Sequence, residues 1–297
     1  MGDVDRRSPA TITIGGDLVV RRLGYGAMQL TGRGVWGEYP DRDAAIALLR
    51  GVVEAGVTFI DTADAYGPHT NELLIHDALW PYPEDLVIAT KGGFIRGGPG
   101  PGHYGAVGNR EYLRQCAFLS ARRLGVERID LYYLHTPNAT DVPFEEQVET
   151  LAELKAEGLI RHIGLSNVGA EQFQTARAIV EIAAVTAHFN ISGRTGSALL
   201  SAAESAGVAF SPWHPTSLSD PGRNATHLGD ALGPMADRHG ATLAQLAIAW
   251  LLHRSPWMLP IPGTSSHTHV VENVDAAGIE LTEDEVSAIT ALVPENA

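Results

Sequence analysis

An apolar run, Phe59-Ile60, ends in the carboxylate of Asp61, and the phenol of Tyr66 follows in a short turn closed by Gly67. Leu86-Val87-Ile88-Ala89-Thr90 runs into Lys91, and Ile129-Asp130-Leu131-Tyr132-Tyr133-Leu134 runs into His135. Carboxylate, phenol, ammonium and imidazole all handle protons, and a strand end holds each on a rigid perch with access to solvent. A free phenol, with a pKa of about 10, is too weak an acid near neutrality. A close ammonium stabilises the phenolate and lowers that value. An ammonium in a poorly solvated pocket loses its own proton unless a carboxylate stands beside it. Asp61 is therefore expected to keep Lys91 charged, Lys91 to make Tyr66 more acidic, and His135 to orient a substrate oxygen or relay a proton. Such a set suits protonation of a carbonyl oxygen while hydride arrives from another group.

The elements that would carry these residues follow from the pattern. Thr11 to Val20 alternates around Gly15-Gly16, which predicts a β-hairpin with a tight turn. Strands are predicted at Leu23–Gly26, Thr58–Ile60, Leu86–Thr90, Ile129–Leu134, His162–Ser166, Ala184–Phe189, Val208–Ser211 and Met258–Ile261. Helical periodicity lies between them. Asp41 to Glu54 puts Ile46, Leu49 and Val53 on one face and stops at Gly56. Phe144, Val148 and Leu151 mark a second helix, stopped by Gly158, and Thr242 to His253 a third. Thr282 and Glu285 form a capping box before a last one. Strands alternating with helices predict a parallel sheet, and eight strands close a (β/α)8 TIM barrel, with the N-terminal hairpin closing its bottom. A doubly wound open sheet is the alternative, but Leu23-Gly24-Tyr25-Gly26 lacks the third glycine of a dinucleotide fingerprint. No linker divides residues 1–297, so a single domain is expected. Two long loops, Gly92 to Gly108 and His214 to Gly229, follow strands and are candidates for functional segments.

Composition narrows the classes. Lys and Arg number 21 against 35 Asp and Glu, a formal charge of −14. This balance argues against nucleic acid and against anionic membrane surfaces as partners. No stretch approaches the ~18 apolar residues of a membrane span. The single cysteine, Cys116, excludes an intrachain disulfide, and Met1 to Arg7 carry no apolar signal core, so a cytoplasmic location is expected. His267 and His269 are spaced as H-x-H but have no third ligand beside them and read as surface loop residues rather than a metal site.

Several stretches, in order along nearly the whole chain, carry a resemblance. They are Ile60-Asp61-Thr62-Ala63-Asp64-Ala65-Tyr66-Gly67, Ala89-Thr90-Lys91, Asp130 to Pro137, Ile160 to Val168, and Ile261-Pro262-Gly263-Thr264-Ser265-Ser266. Together they resemble the aldo-keto reductases. The resemblance implies a barrel that binds a nicotinamide cofactor at its C-terminal face without a Rossmann domain. It implies that Asp61, Tyr66, Lys91 and His135 form a catalytic tetrad with Tyr66 as proton donor. It further implies that Ser166 and Asn167 hydrogen-bond the nicotinamide carboxamide, with a turn or helix cap as their plainer reading. Trp213 matches the aromatic that stacks on the nicotinamide, although a lone tryptophan is more often core. Gly263, Thr264 and Ser265, with His269, Glu272 and Asn273, resemble the segment around the adenosine phosphate and adenine, where a helix N-terminus suits phosphate.

Departures qualify the match. Thr186 stands where the family usually has Gln to grip the carboxamide, Phe189 where Tyr is common, and Asn138 where Asp is usual. Many NADPH-preferring members carry Lys at the position of Gly263 and Arg at that of His269, and an imidazole is a poorer phosphate ligand than a guanidinium. Relatives with the Ile-Pro-Gly-Thr-Ser-Ser pattern still resemble NADPH users, so NADP(H) is favoured and NAD(H) is the alternative. The expected activity is hydride transfer between NADP(H) and a small aldehyde or ketone, or the reverse from an alcohol. A redox-sensing subunit that binds the cofactor with little turnover is the competing reading, and a metal-dependent barrel hydrolase lacks a ligand cluster. His188 and His214 border the expected pocket, Trp36 and Tyr39 are candidates for its rim, and Asp64 reads as a turn former. Of Tyr132 and Tyr133 at least one belongs in the core.

Overall fold

The computed structural model describes residues 11–100, 103–218 and 225–293. It opens with an antiparallel hairpin, β1 (Thr11–Ile14) and β2 (Leu18–Arg21), turning at Gly15 and Gly16 with φ of 60° and 83°. Its residues alternate exposed and buried, as half-buried strands must. Ile12, Ile14, Leu18 and Val20 pack with Phe59, Leu131 and Leu259 in the barrel interior. The turn rests on His162 so closely that a Cβ at Gly15 would lie 2.2 Å from the imidazole. Asp17 accepts a hydrogen bond from Arg161 at 2.7 Å and pairs with His162 at 2.6 Å. The hairpin therefore stoppers the end of the barrel where β-strands begin, as the sequence predicts.

Seven parallel strands follow: β3 (Tyr25–Gly26), β4 (Phe59–Asp61), β5 (Val87–Gly92), β8 (Ile129–Leu134), β9 (Ile160–Ser166), β10 (Ala184–His188) and β11 (Ala209–Trp213), hydrogen-bonded in that spatial order. A separate antiparallel hairpin, β6 (Phe94–Arg96) with β7 (Tyr104–Ala106), stands outside the sheet. β5 is buried throughout, the mark of a parallel strand covered on both faces. The outer layer comprises α1 (Arg42–Glu54), α2 (Thr70–Leu79), α3 (Arg110–Leu124), α4 (Phe144–Ala156), α5 (Ala170–Ile179), α6 (Ser197–Ala206), α7 (Ala225–Arg238), α8 (Leu243–Arg254), α9 (His267–Asp275) and α10 (Glu283–Ala291). The sequence signals for the helix ends hold. Asp41 accepts from the Ala44 amide, Thr282 and Glu285 form a capping box, and Gly56 and Gly158 take φ of 89° and 86° past the ends of α1 and α4.

The eighth strand differs from expectation. Met258–Ile261 occupies the gap between β11 and β3, but only one ladder bridge forms, Phe210 with Met258. Closure runs through single bonds. Phe210 N donates to Trp257 O and Leu259 N to Phe210 O, both at 2.8 Å, while Gly24 N donates to Pro260 O at 2.9 Å and Gly26 N to Pro262 O at 3.3 Å. Pro260 and Pro262 have no N–H, and the donors they lack are those that would have faced β3. The sheet is thus a closed (β/α)8 barrel whose last strand is half a ladder. The two long loops also differ. Gly92 to Gly108 contains the β6–β7 hairpin, and His214 to Gly229 is shortened by α7, which begins at Ala225; positions 219–224 within it lie outside the described residues. No described helix is long and apolar enough to cross a membrane.

Candidate active site

The ends of three adjacent strands bring the four proton-handling residues together. Asp61 closes β4, Lys91 is the penultimate residue of β5, and His135 follows β8, its amide donating to Gly92 O at 2.9 Å. Tyr66 sits in a turn that is itself fastened to β5, with Thr62 N donating to Ala89 O at 2.8 Å and Asp64 N to Lys91 O at 3.1 Å. Gly67 ends the turn with φ of 72°. The Lys91 ammonium donates to Asp61 Oδ1, to Thr62 O at 2.9 Å and to the Tyr66 hydroxyl at 3.4 Å. The His135 ring meets Tyr66 edge to face, with centroids 6.0 Å apart.

Burial governs the electrostatics. Asp61 and Lys91 are 3% exposed. Burial pushes the Asp61 carboxyl up, and Lys91 pulls against it. Burial pulls the Lys91 ammonium down, but the charges and hydrogen bonds of Asp61 and Tyr66 together outweigh this, so its proton is held above the ordinary value. Tyr66 does not follow the expectation: burial raises its phenol above the ordinary value and exceeds the opposing pull of Lys91. Burial is the largest cause, and the charge of Asp61 adds to it. Tyr66 is therefore a protonated phenol at neutral pH. His135 is pushed well below the ordinary histidine range by burial and then by Lys91, so its imidazole is neutral, and its Nδ1 is buried without a hydrogen-bond partner.

A cleft of about 240 Å³ opens above these residues. All four of them line it, and so do Ser166, Asn167, Thr186, Trp213 and Gly263. Asn167 adopts the left-handed region (φ 60°), and its Nδ2 donates to His135 O at 3.2 Å and to Ser166 Oγ at 3.0 Å. The Asn167 carbonyl remains an acceptor and the Ser166 hydroxyl a donor, a pair complementary to a primary carboxamide. The Trp213 ring is wedged between His188 (4.5 Å) and His214 (5.0 Å), and its Nε1 is buried without a partner. These residues fit the nicotinamide end of a dinucleotide. The sequence missed Gly26, which ends β3, and Met28 and Gln29 after it; Pro215 and Thr216, in the long loop after β11 that the sequence singled out only as a segment, also line the cleft. Their only signal was position at or just past the end of a barrel strand.

Thr264, Ser265, His269, Glu272 and Asn273 lie beyond Gly263 and do not line this cleft. Thr264 is buried, its carbonyl accepting from Tyr25 at 2.6 Å, whereas Ser265 and His269 are exposed at the start of α9. A Cβ at Gly263 would lie 2.8 Å from Gly26 O, so no side chain fits there without displacing β3. Trp36 and Tyr39 are not part of the cleft wall: Tyr39 packs with the core cluster around α1 and α2, and Trp36 faces Arg96. Both Tyr132 and Tyr133 are fully buried.

Known proteins are similar to this chain in sequence and in fold. The chain is 43% identical over 281 residues to an uncharacterised oxidoreductase of Schizosaccharomyces pombe, covering 95% of this chain and 89% of that protein. It is 40% identical over 292 residues to pyridoxine 4-dehydrogenase of Escherichia coli, covering 96% and 99%. A crystal structure of an aldo-keto reductase from Klebsiella pneumoniae in complex with NADPH superposes with a TM-score of 0.79 at 28% identity, over 96% of this chain and 95% of that one. The sequence profile of the Aldo/keto reductase family matches residues 22–294. With its barrel, its strand-end cluster and a profile match over nearly its full length, the chain belongs to the aldo/keto reductase family.

Proposed function

We propose that the cleft transfers hydride between NADP(H) and the carbonyl carbon of a small, uncharged aldehyde or ketone, with Tyr66 exchanging a proton with the oxygen. The observation that carries this reading is the ammonium of Lys91, bonded at once to Asp61 and to the Tyr66 hydroxyl. The reduced nicotinamide supplies the hydride when bound. Ser166, Asn167 and Thr186 would hold its carboxamide and Trp213 its ring. Tyr66, protonated at neutral pH, gives its proton to the oxygen as negative charge develops there. Lys91 stabilises the phenolate left behind, and Asp61 keeps Lys91 charged. Neutral His135 shares a hydrogen bond with the oxygen and orients it. In the reverse direction the phenolate takes the alcohol proton.

The substrate class follows from charge. Among the described residues, Lys91 is the one cation lining the cleft, and Asp61 already neutralises it. A phosphate or carboxylate on the substrate would find no unpaired Lys or Arg among the described lining residues, and leaving it unpaired costs binding. The NADPH of the Klebsiella pneumoniae relative and the N-terminus of α9, whose Ser266 makes no side-chain cap, support a phosphorylated dinucleotide.

The test is steady-state reduction of neutral aldehydes, pyridoxal among them, beside their phosphorylated or carboxylated counterparts. Tyr66→Phe should lower kcat/KM by about 10²–10⁴-fold, with NADPH affinity, read by tryptophan quenching, changed less than about twofold. A Tyr66→Phe enzyme of wild-type activity removes the proton-donor assignment. A tenfold preference for NADH removes the cofactor assignment.

A further inference from the structure

The segment between β3 and α1 and the β6–β7 hairpin meet on the Tyr66 and His135 side of the cleft. Arg96, the last residue of β6, joins them. Its Nη2 donates to Gly34 O at 2.8 Å and its Nη1 to Val35 O at 3.2 Å. The guanidinium lies 4.2 Å from the centroid of Tyr104 and 5.8 Å from that of Trp36. The Val35 carbonyl has a second donor, the amide of Gly67 at 3.2 Å, and Gly67 is the residue next to Tyr66. To present that carbonyl, Val35 takes φ of 59°. A β-branched residue in the left-handed region is strained and persists only where its surroundings fix it. Thr70 Oγ1 fastens the same segment through Gly37 O at 3.1 Å.

At the other end of β6, Phe94 packs on the His135 ring with centroids 5.1 Å apart and on Tyr104 at 5.5 Å. Because His135 Nδ1 has no hydrogen bond, the attitude of the imidazole is set by packing, with Phe94 and Tyr66 on its flanks. Arg96 thus stands behind both proton-handling rings. It reaches Tyr66 through Val35 and Gly67, and His135 through the β6 backbone and Phe94.

We infer that Arg96 is a positioning residue for proton transfer: its guanidinium clamps the Gly34-Val35 carbonyls and the β6–β7 hairpin so that Tyr66 and His135 point at one oxygen. This rests on the proposed role of Tyr66. No hydrogen bond or ring contact joins Arg96 to Ser166, Asn167, Thr186 or Trp213, so its loss should disturb the proton donor more than the grip on the nicotinamide. Directional alignment matters steeply, since a displacement of about 1 Å in a reacting group can cost on the order of a hundredfold in rate.

The experiment compares wild type, Arg96→Met and Arg96→Lys for kcat, KM, NADPH affinity and the solvent deuterium isotope effect on kcat. Arg96→Met keeps the length and apolar stem and loses every donor; Arg96→Lys keeps one charge and a single reach. Arg96→Met should lower kcat by about tenfold to a hundredfold, enlarge the solvent isotope effect and leave NADPH affinity within about twofold. Arg96→Lys should recover part of kcat. A merely structural loss would lower the folded fraction without changing the isotope effect, and that result overturns the clamp, as does a wild-type kcat in Arg96→Met. If Arg96→Met does not fold, Arg96→Lys decides: reduced kcat with a larger isotope effect supports the clamp, and an unchanged kcat overturns it. Tyr66→Phe keeps the two questions apart. An inactive Tyr66→Phe beside a fully active Arg96→Met removes the clamp alone, whereas an active Tyr66→Phe removes the reading beneath it.

Discussion

Lys91 has three N–H groups and three acceptors: a carboxylate, a backbone carbonyl and a phenol. Asp61 and Tyr66 were legible as its partners because three apolar runs end in polar residues, and apolar runs that end abruptly mark strand ends; the Thr62 carbonyl was not. The balance on Tyr66 was not readable, because it depends on how far Asp61 cancels Lys91 and how little water reaches the ring. Asp64 shows the same limit. Its place in a turn was legible, but its carboxyl is buried, with Oδ1 unpartnered, beside Glu72 and the Cys116 thiol. Burial, then Glu72, raises it from 3.8 to about 7. The unfolded chain releases this proton near 3.8 and the folded one near 7, so folding retains a proton across that window and stability falls as pH rises through it. Asp64→Asn, which stays neutral, should therefore gain on wild type by on the order of 2–4 kcal/mol between pH 5 and pH 8. Denaturant titrations at the two pH values measure it; an equal difference at both would show that the carboxyl ionises normally.

At the scale of elements, the strands place the site and their neighbours explain residues that a linear reading cannot. Gly164 on β9 pairs with Tyr133 on β8, and a Cβ there would lie 2.3 Å from the Tyr133 ring. That ring is fully buried and its centroid is 5.8 Å from the Lys91 nitrogen. Gly164→Ala should cost about 1–3 kcal/mol of stability through overpacking and lower kcat by shifting Tyr133 under Lys91. Thermal unfolding beside turnover tests this, and a stable, fully active variant would show that the layer can relax. Ile163-Gly164-Leu165 was legible as a strand, but the need for glycine comes from a residue on another strand. The β6–β7 hairpin was hidden for a different reason. Gly97 to Gly102 is so rich in Gly and Pro that it masked the short strands flanking it. Caps were the easiest to read, since Asp41, Thr282, Gly56 and Gly158 act within one helical turn.

The barrel as a whole was legible from the count of apolar runs and the helices between them, because that alternation leaves few ways to bury both faces of a parallel sheet. Its seam was not. Two prolines reduce the last strand to isolated bonds, and only the spatial neighbours β3 and β11 show that it still joins them. If the seam is part of the cooperative unit, the amides of Leu259 and Gly24 should exchange with deuterium as slowly as those of β8 and β9. Fast exchange at these two amides alone would mean that the wall opens there. At the other end, the β1–β2 hairpin and its Asp17 contacts seal the floor. The vessel is a cup rather than a pipe. Whatever the cleft binds therefore enters and leaves on the side where the strands end.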